Sequence, residues 1–378
     1  MSAPVHEAAP PGLIFDAHTD VPIRLYEEPA DLLEEVEGRH VDLPKLRRGG
    51  VGALVFALFV PPHLEPEEGL WLVERLHRLS LQQLQRGAWR AVRQVEEARQ
   101  AAREGDVAVF FALENGRPLT VPGALERCRE IGVRYVTLTH GASHEWCDSA
   151  TGRPRHGGLS SPGVELVERL NAAGILADVS HVSEKAAHQA ITASSLPVIA
   201  SHSASAALCP HPGNLSNALA RRIGESGGVL MVNSHPAMLD AAACRLNQER
   251  WQHIGPRLAE LEASQQEDPK AYALGLERLF AEYPLPSVGL DAYAEHILHF
   301  VDVAGAGHVG IGSDFDGIPE TLEGFENAGC FPALAASLQR RGLDSGTVRG
   351  ILGENLLRVL NEVDRATAPL HSPTLSSA

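Results

Sequence analysis

The stretch VAVFFALE, residues 107–114, is an apolar run that ends on a carboxylate. A segment that is apolar on both faces is typical of a strand in a parallel sheet covered on both sides. The chain contains seven further short apolar runs, and at least five of the eight end on His, Asp or Glu. The other runs are LIFDAH at 13–18, residues 53–60, YVTLTH at 135–140, ILADVSH at 175–181, PVIASH at 197–202, residues 228–233 and VGIGSD at 309–314.

Between these runs the chain has room for helices, and several intervals carry apolar residues at helical spacing. Strands that alternate with helices indicate a parallel sheet. Polar side chains at the ends of such strands are typical of an active site at the carboxyl face of a (β/α)8 TIM barrel. We therefore predict an α/β fold of this type, with a metal site at that face, which the family resemblance given below implies to be binuclear. The predicted helices include 69–103, 162–173 with Ser160 or Ser161 as N-cap, 183–193 with Ser183 as N-cap, and 292–304.

The chain length of 378 residues suits one barrel with insertions, because such folds contain roughly 200 to over 400 residues. We predict a single domain at 13–365, in which the polar stretch at about 241–286 forms a helical insertion near the barrel mouth. The Pro/Ala-rich residues 1–12 are predicted to form a flexible arm. The Ser/Pro/Thr-rich residues 366–378 are predicted to form a disordered tail.

The net charge of −16 argues against binding to nucleic acid or to an anionic membrane, because both need basic patches. No apolar stretch reaches the length of about 18 residues that spans a membrane. The first residues lack the basic start and apolar core of a signal peptide. Five scattered cysteines without a CxxC motif indicate reduced thiols. We therefore expect a cytoplasmic protein, although a mature secreted chain that has lost its signal peptide would look the same.

The first run continues into DAHTD, residues 16–20. Side chains two apart in a strand point to the same side, so His18 and Asp20 are expected to face the barrel mouth together. Imidazole and carboxylate suit a borderline divalent ion such as zinc. The alternative interpretation is a capping aspartate beside a histidine of the core.

Four more polar residues end apolar runs. Glu114 closes VAVFFALE, where a buried carboxylate needs a compensating partner. That partner is either a pair of metal ions, which its two oxygens can bridge, or a neighbouring arginine. His140, His181 and His202 end three consecutive runs, and neutral imidazole is a common metal ligand. Each histidine alone is compatible with a satisfied core residue, but the set together favours a metal site.

Asp314 lies within GSDFDG, residues 312–317, where glycines allow the backbone and a substrate to approach closely. A carboxylate that faces a metal site can act as a general acid or base, or can bind a substrate ammonium group. We interpret Asp316 as a structural residue that holds this loop.

Together these segments resemble the membrane (renal) dipeptidase family, peptidase family M19, of the amidohydrolase superfamily. The resemblance extends over roughly residues 15–360, and it is specific because many motifs occur in the right order. Besides DAHTD and Glu114, the matching segments are VDLP at 41–44, GGVG at 49–52, LTH at 138–140, DVSHVS at 178–183, SHS at 201–203, GSDFDG at 312–317 and ENLLR at 354–358.

The resemblance implies a metallo-dipeptidase with two zinc ions per subunit. It places His18 and Asp20 on one zinc ion. It places His181 and His202 on the other, with Glu114 bridging the two ions. The HxD pair and the bridging Glu favour the dipeptidase branch, since relatives in the superfamily often use an HxH pair and a modified lysine.

The resemblance also implies a mechanism with Glu114, His140 and Asp314 as catalytic residues. The two ions activate a hydroxide, which attacks the amide bond of an L-Xaa-L-Xaa or L-Xaa-D-Xaa dipeptide. His140 contacts the substrate or the developing oxyanion, and Asp314 handles the proton or the substrate amine. His211 and Asn233 complete the expected substrate-binding residues. The expected partners are a small dipeptide or amide substrate and a second copy of the chain in a homodimer, with no nucleic acid and no membrane.

One segment departs from the family. After the sixth strand, relatives commonly carry an arginine just before an asparagine, where it pairs with the free carboxylate of the substrate. Here Gly213 precedes Asn214, and glycine does not replace a bidentate arginine–carboxylate contact. Either His211, Arg153 or Arg155 substitutes, or the chain is a retargeted metallo-amidohydrolase. Its substrate would then be an amide, lactam or lactone without a free carboxylate.

A second departure lies in GASHEWCD, residues 141–148. His144 and Glu145 stand where the family has variable polar residues. His144 is a candidate substrate contact, and the alternative is a loop histidine that faces solvent.

Overall fold

A computed structural model describes residues 12–262 and 267–367. The predicted arm at 1–12 lies outside the described residues except for Gly12. The predicted tail at 366–378 begins inside the last helix, which ends at Thr367, and the rest of it lies outside the described residues.

Parallel strands form two sheets within the described ranges. The strands are β1 Ile14–Thr19, β2 Val51–Phe59, β3 Trp89–Ala91, β4 Val107–Glu114, β5 Val133–Thr137, β6 Leu176–Asp178, β7 Ala200–Ser203, β8 Leu230–Val232 and β9 Val309–Ile311. The larger sheet has the order β1-β2-β4-β5-β6, with β3 also paired to β4, and the smaller has the order β7-β8-β9. Every pairing between these strands is parallel, so the α/β class is confirmed.

Helices occupy most of the connections between strands. They are α1 Val21–Glu27, α2 Leu43–Gly49, α3 Pro66–Leu84, α4 Val95–Arg103, α5 Ala124–Ile131, α6 Ser161–Ala172, α7 Glu184–Ala193, α8 Asn217–Glu225, α9 Pro236–Leu239, α10 Ala241–Glu262, α11 Pro269–Ala281, α12 Leu290–Ala304, α13 Phe331–Arg340, α14 Ser345–Arg349 and α15 Asn355–Thr367. The predicted helices at 162–173, 183–193 and 292–304 are confirmed as α6, α7 and α12. Ser160 and Ser183 cap α6 and α7, each accepting a backbone N–H of the first turn.

The prediction of one helix over 69–103 is wrong. Helices α3 and α4 occupy the two ends of that range, and β3 lies between them. Gly87 and Ala88 adopt left-handed backbone conformations, with φ of 95° and 65°, which end the helical path. The chain then places the fully buried Trp89 opposite Val107 of β4. Burial of this large aromatic side chain outweighs the helical pattern on either side.

The alternating side chains of β4 enter two different cores. Phe110 joins an inner cluster with Phe15 of β1 and Met231 of β8, to which α4 and α15 also contribute. Phe111 belongs to the larger cluster between the strands and the surrounding helices. Because successive side chains of a strand point to opposite faces, one face of β4 packs on the inner cluster and the other packs on the larger cluster.

Two seams join the sheets. At the first, Asp178 of β6 forms a parallel bridge with Ile199, just before β7, and the N–H of Val179 donates to Ile199 O at 2.9 Å. At the second, Thr19 of β1 forms a parallel bridge with Phe315, beyond β9. The carboxyl ends of strands from both sheets therefore meet along one rim.

The strands β5, β6 and β9 each end three residues before the ends of the apolar runs that predict them. β5 ends at Thr137 and β6 at Asp178, so His140 and His181 each lie three residues beyond a strand. Oδ1 of Asp178 accepts the backbone N–H of Ser180 at 3.0 Å, a local turn that competes with continued strand pairing. Both histidines thus stand on loops at the rim.

Helices α10 and α11 occupy the range predicted as an insertion, 241–286, and they pack against the same rim. Glu277 of α11 pairs with Arg24 of α1, directly after β1, at 2.5 Å. The buried Arg250 of α10 pairs with Glu320, beyond β9. Among the residues that the structure describes, no helix combines the length and apolarity needed to cross a membrane.

Candidate metal centre

β1 delivers a buried histidine whose tautomer is set by its neighbours. Nδ1 of His18 lies 2.9 Å from the Tyr135 hydroxyl, which itself donates to Ala17 O at 2.8 Å. The Tyr135 oxygen therefore accepts the Nδ1 proton of His18, so Nε2 is the nitrogen that can bind a metal ion, which would displace the proton of that nitrogen. That Nε2 faces two carboxylates, at 3.3 Å from Glu114 Oε2 and 3.7 Å from Asp20 Oδ2.

Glu114 ends β4 at the centre of the site and is only 3% exposed. While its Oε2 faces His18, its Oε1 lies 3.4 Å from Nε2 of His181 and 3.5 Å from Nε2 of His202. Burial alone would raise the pKa of Glu114, but His18 and the other imidazoles hold that pKa well below its ordinary value. The side chain is therefore an anion with one oxygen facing His18 and the other facing His181 and His202.

The Nε2 atoms of His181 and His202 lie 2.6 Å apart. Nδ1 of His202 is 2.7 Å from Ser201 Oγ, whose hydroxyl donates to Asp178 Oδ2 at 2.6 Å. Ser201 therefore accepts the Nδ1 proton, and Nε2 of His202 carries a lone pair. Burial, together with the positive charge of His18, holds the pKa of His202 well below its ordinary value. The convergence of these two ring nitrogens suits a shared cation.

The donor set fits a divalent metal. Donor atoms of histidines and carboxylates fall into groups that lie within 4.8 Å of one another. Oδ1 of Asp20 is buried and finds no hydrogen-bond donor in the described part of the chain. Burial lowers the pKa of His18, but Glu114 and Asp20 raise it to about 10, so the site strongly attracts positive charge. Mixed imidazole and carboxylate ligands suit zinc and other first-row ions.

His140 stands beside these ligands. Its ring centroid lies 4.3 Å from that of His181 and 4.8 Å from that of Phe59. Its Nε2 is 3.9 Å from Glu114 Oε1, and its Nδ1 is buried without a partner among the described residues. Burial and the nearby His181 lower the pKa of His140 to about 3. The ring is therefore neutral and offers one N–H donor to the site.

Asp314 reaches the site from the loop after β9. Its φ of 66° is a left-handed conformation that is unfavourable for a residue with a side chain. The backbone N–H of Asp314 donates to His18 O at 3.1 Å, and Oδ2 accepts a hydrogen bond from Asn233 Nδ2 at 2.8 Å. A Cβ atom at Gly317 would lie 2.1 Å from Asp20 Oδ2 and 3.0 Å from Asp314 Oδ1. Only glycine therefore fits against these two carboxylates.

His211 lies next to the cluster but outside its groups of candidate ligands. Its Nδ1 accepts the N–H of Gly213 at 3.1 Å. Burial, followed by the charge of His181, lowers the pKa of His211 to about 4. The loop after β7 therefore presents a neutral imidazole, and no guanidinium, to this side of the site.

Residues that orient the ligands were missed by the sequence analysis. Asp178 Oδ2 accepts hydrogen bonds from Thr137 Oγ1 and Ser201 Oγ, each at 2.6 Å. The available signal was Asp178 itself, because a carboxylate within a buried strand must have partners. Tyr135 gave no such signal, since a tyrosine in an apolar strand reads as core.

The loops around the site contain one correction. The interpretation of His144 as solvent-facing is wrong, because the residue is 4% exposed and its Nδ1 accepts the N–H of Trp146 at 3.3 Å. Asp316 does hold its loop. Its Oδ1 accepts the N–H of His40 at 2.7 Å, and its own N–H donates to His40 Nδ1 at 2.9 Å.

Comparison with known proteins gives matches along most of the chain. The sequence model of the family described as membrane dipeptidase (peptidase family M19) matches residues 5–374. Dipeptidase verJ of Clonostachys rogersoniana is 28% identical over 373 residues, which cover 94% of this chain and 85% of that protein. The probable dipeptidase PvdM from Pseudomonas aeruginosa has a similar structure, with a TM-score of 0.79 and 26% identity over 94% of this chain and 96% of that one. A metallopeptidase from Rhodobacter sphaeroides, liganded with a phosphinate mimic of the dipeptide L-Ala-D-Ala, shares the fold with a TM-score of 0.75. Its identity is 22%, over 93% of this chain and 99% of that one.

Proposed function

The chain belongs to the membrane dipeptidase family, peptidase family M19, and from this premise we propose that it is a zinc-dependent dipeptidase acting on L-Xaa-L-Xaa and L-Xaa-D-Xaa substrates. The observation that carries the proposal is the position of Glu114, whose two oxygens face different sets of imidazoles. A carboxylate so placed is suited to bridge two cations. Relatives named as dipeptidases support the substrate class.

The proposed ligands divide between two zinc ions. His18 and Asp20 would hold one ion, and His181 and His202 would hold the other. Glu114 would contribute one oxygen to each. When bound, such a pair supplies a water molecule of lowered pKa and polarises the carbonyl group of the substrate.

The other proposed residues of the site bind substrate and move protons. His140, as a neutral imidazole, would donate its N–H to the carbonyl oxygen as negative charge develops there. Asp314 would transfer a proton to the leaving nitrogen or hold the substrate amine. Asn233 donates to Asp314 Oδ2 and would keep that carboxylate oriented. His211 would contact the part of the substrate on the His181 side.

The finer architecture and setting are part of the same proposal. The strands β1, β2 and β4–β9 would close through the two seams into a (β/α)8 barrel, with 241–286 as an insertion at its mouth. The enzyme would act as a homodimer in the cytoplasm. Its five free cysteines are compatible with a reducing compartment.

A second candidate is favoured by the loop after β7. Gly213 contacts the His211 ring, so this loop carries an imidazole where a guanidinium would bind a free carboxylate. The chain would then be a metallo-amidohydrolase for an amide, lactam or lactone.

The test is hydrolysis of L-Ala-L-Ala and L-Ala-D-Ala by the zinc-loaded protein, beside the same peptides with amidated C-termini. We expect turnover of the free dipeptides, loss of turnover with a chelator and recovery with zinc. Glu114→Gln should lower kcat/KM by several orders of magnitude. The matched change Glu126→Gln, at an exposed position of α5, should not.

Two outcomes would count against the dipeptidase assignment. Preference for the amidated peptides would favour the second candidate. A protein that holds two equivalents of zinc and cleaves none of these peptides would overturn the dipeptidase proposal.

A further inference from the structure

A cavity lined by residues that follow Glu114 and His140 in the chain has no role in the function proposed above. Its volume is about 190 Å³, and its wall includes Asn115 and Ala142. Asn115 directly follows Glu114, and Ala142 lies two residues after His140. The cavity is therefore formed by the loops after β4 and β5, the first of which begins directly after Glu114 and the second of which contains His140.

Two guanidinium groups line this cavity, from different parts of the chain. Arg117 is fixed, because its Nη1 donates to Leu64 O at 2.6 Å and its Nη2 donates to Glu65 at 3.1 Å. Arg155 is only loosely engaged, since its Nη1 lies 3.5 Å from Ser143 O and its side chain is 49% exposed. An arginine side chain has five N–H donors, so Arg155 retains donors for a ligand.

The backbone that carries Arg155 is held in place. Oδ1 of Asp148 accepts the N–H of Arg155 at 2.7 Å and that of His156 at 3.1 Å. Oδ2 of Asp148 accepts the N–H of Gly158 at 2.9 Å. Nε2 of His156 also lies 2.9 Å from His144 O, which ties the loop back to the cavity wall. Arg155 is thus presented from an ordered loop.

Glu65 and Glu145 balance the charges of Arg117 and Arg155, but hydrogen-bond donors around the cavity remain free. Glu145 lies between the guanidiniums, 3.5 Å from Arg117 Nε and 4.0 Å from Arg155 Nη1. Its carboxylate can satisfy only part of two planar, multidentate donors. Nε2 of His144, in the same wall, is buried and unpartnered among the described residues.

We propose that this cavity binds a carboxylate group of the dipeptide substrate, with Arg155 as the direct ligand and Arg117 as a fixed second cation. The inference rests on the proposed dipeptidase activity and names a subsite for it. It would supply carboxylate recognition from the loops after β4 and β5, in place of the arginine-free segment 209–214. The carboxylate is either the C-terminal one or that of an acidic side chain.

The test compares Arg155→Gln with Arg153→Gln in the zinc-loaded enzyme. Arg153 is an exposed arginine of the same loop that does not line the cavity, so its loss removes the same charge without removing the contact. Two substrate pairs distinguish the two possible carboxylates. L-Ala-L-Ala and its C-terminal amide differ in the C-terminal carboxylate, and L-Ala-L-Glu and L-Ala-L-Gln differ in the side-chain carboxylate.

For the carboxylate-bearing member of one pair, we expect Arg155→Gln to raise KM about tenfold or more with little change in kcat. The KM of Arg155→Gln for the neutral member of that pair should stay near the wild-type value. The KM of Arg153→Gln should stay near the wild-type value for both members. Glu145→Gln should lower KM for the same substrate, because a competing carboxylate is removed. The pair that responds identifies the source of the carboxylate.

Equal changes in KM for Arg155→Gln and Arg153→Gln would overturn the proposed subsite but not the proposed function. Equal changes in KM for both members of each substrate pair would do the same. Wild-type enzyme that cleaves no dipeptide would overturn the proposed function, and the subsite with it. That failure would be seen before any variant is made.

Discussion

Tyr135 illustrates how a single side chain acts on the proposed metal centre without facing it. Its hydroxyl accepts the Nδ1 proton of His18 and donates its own to Ala17 O. This arrangement fixes both the tautomer and the orientation of the imidazole. Hydrogen bonds of this kind commonly raise metal affinity about 10–100-fold.

We expect Tyr135→Phe to weaken zinc binding by about 10–100-fold while the protein still folds. Competition with a chelator of known affinity would measure the change. Tyr293→Phe is the matched control, because Tyr293 is equally buried but its hydroxyl donates to Val232 O at 2.8 Å. Equal loss of zinc affinity in both variants would show that Tyr135 acts only through general packing.

The proposed ligands were more predictable from the sequence than the residues that orient them. His18, Asp20 and Glu114 interrupt or end apolar strands, where a charged group is costly unless it has a partner. Tyr135 and Ser201 do not break the pattern of the strands that hold them. Their roles depend on which strands become neighbours, and one sequence does not specify that.

At the scale of the elements, helix α10 forms one buried and one exposed ion pair, which can be compared. Arg250 is 2% exposed, pairs with Glu320 and lies 4.6 Å above the ring of Phe280. Arg257, also on α10, pairs with Glu282 on the surface at 2.6 Å. Removing the partner of a buried charge costs far more than removing that of an exposed one.

We expect Glu320→Ala to lower the free energy of unfolding by about 3 kcal/mol, because the buried Arg250 keeps its hydrogen bonds to Asn247 but loses its anionic partner. The matched change Glu282→Ala should cost under about 1 kcal/mol. Adding Arg250→Met to Glu320→Ala should recover much of the loss. Urea unfolding of the four proteins would measure these differences, and similar costs at both sites would contradict the expectation.

The apolar runs predicted every strand except β3, and helical spacing with capping residues predicted α6, α7 and α12. The caps Ser160 and Ser183 mark where α6 and α7 begin, as predicted. β3 was not predictable because it is short and lies between two amphipathic helices. It forms since Trp89 finds a buried place beside β4, and that depends on the fold rather than on the local pattern.

At the scale of the whole molecule, stability is expected to depend on pH through buried neutral histidines. His296 of α12 accepts the N–H of Ser205 at 3.0 Å, and its Nε2 lies 3.1 Å from Leu239 O. The ring therefore connects the loop after β7 to α9. Burial lowers the pKa of His296 from 6.5 to about 4. Below about pH 6.5 the unfolded chain binds a proton that the folded chain does not.

We therefore expect stability to fall as the pH is lowered from about 6.5 to about 4, with about 3 kcal/mol of that loss due to His296. His296→Gln should be less stable at neutral pH but should show a shallower slope over this interval. Urea unfolding at several pH values, with both proteins free of metal, would measure the two slopes. Parallel slopes would mean that His296 does not contribute.

The seams between the two sheets gain a further meaning from the positions of the proposed ligands. His181 and His202 stand on opposite sides of the β6–β7 seam, and His18 and Asp314 on opposite sides of the β9–β1 seam. An ion shared between His181 and His202 would hold the first seam together as a rivet does. An ion on His18 would fix the end of β1, to which Asp314 hydrogen-bonds across the second seam. Chelation should then speed amide hydrogen exchange at Val179 and Asp314, whose N–H groups bond across the seams, more than within β4. The ions that take part in catalysis would thus also hold the two sheets together.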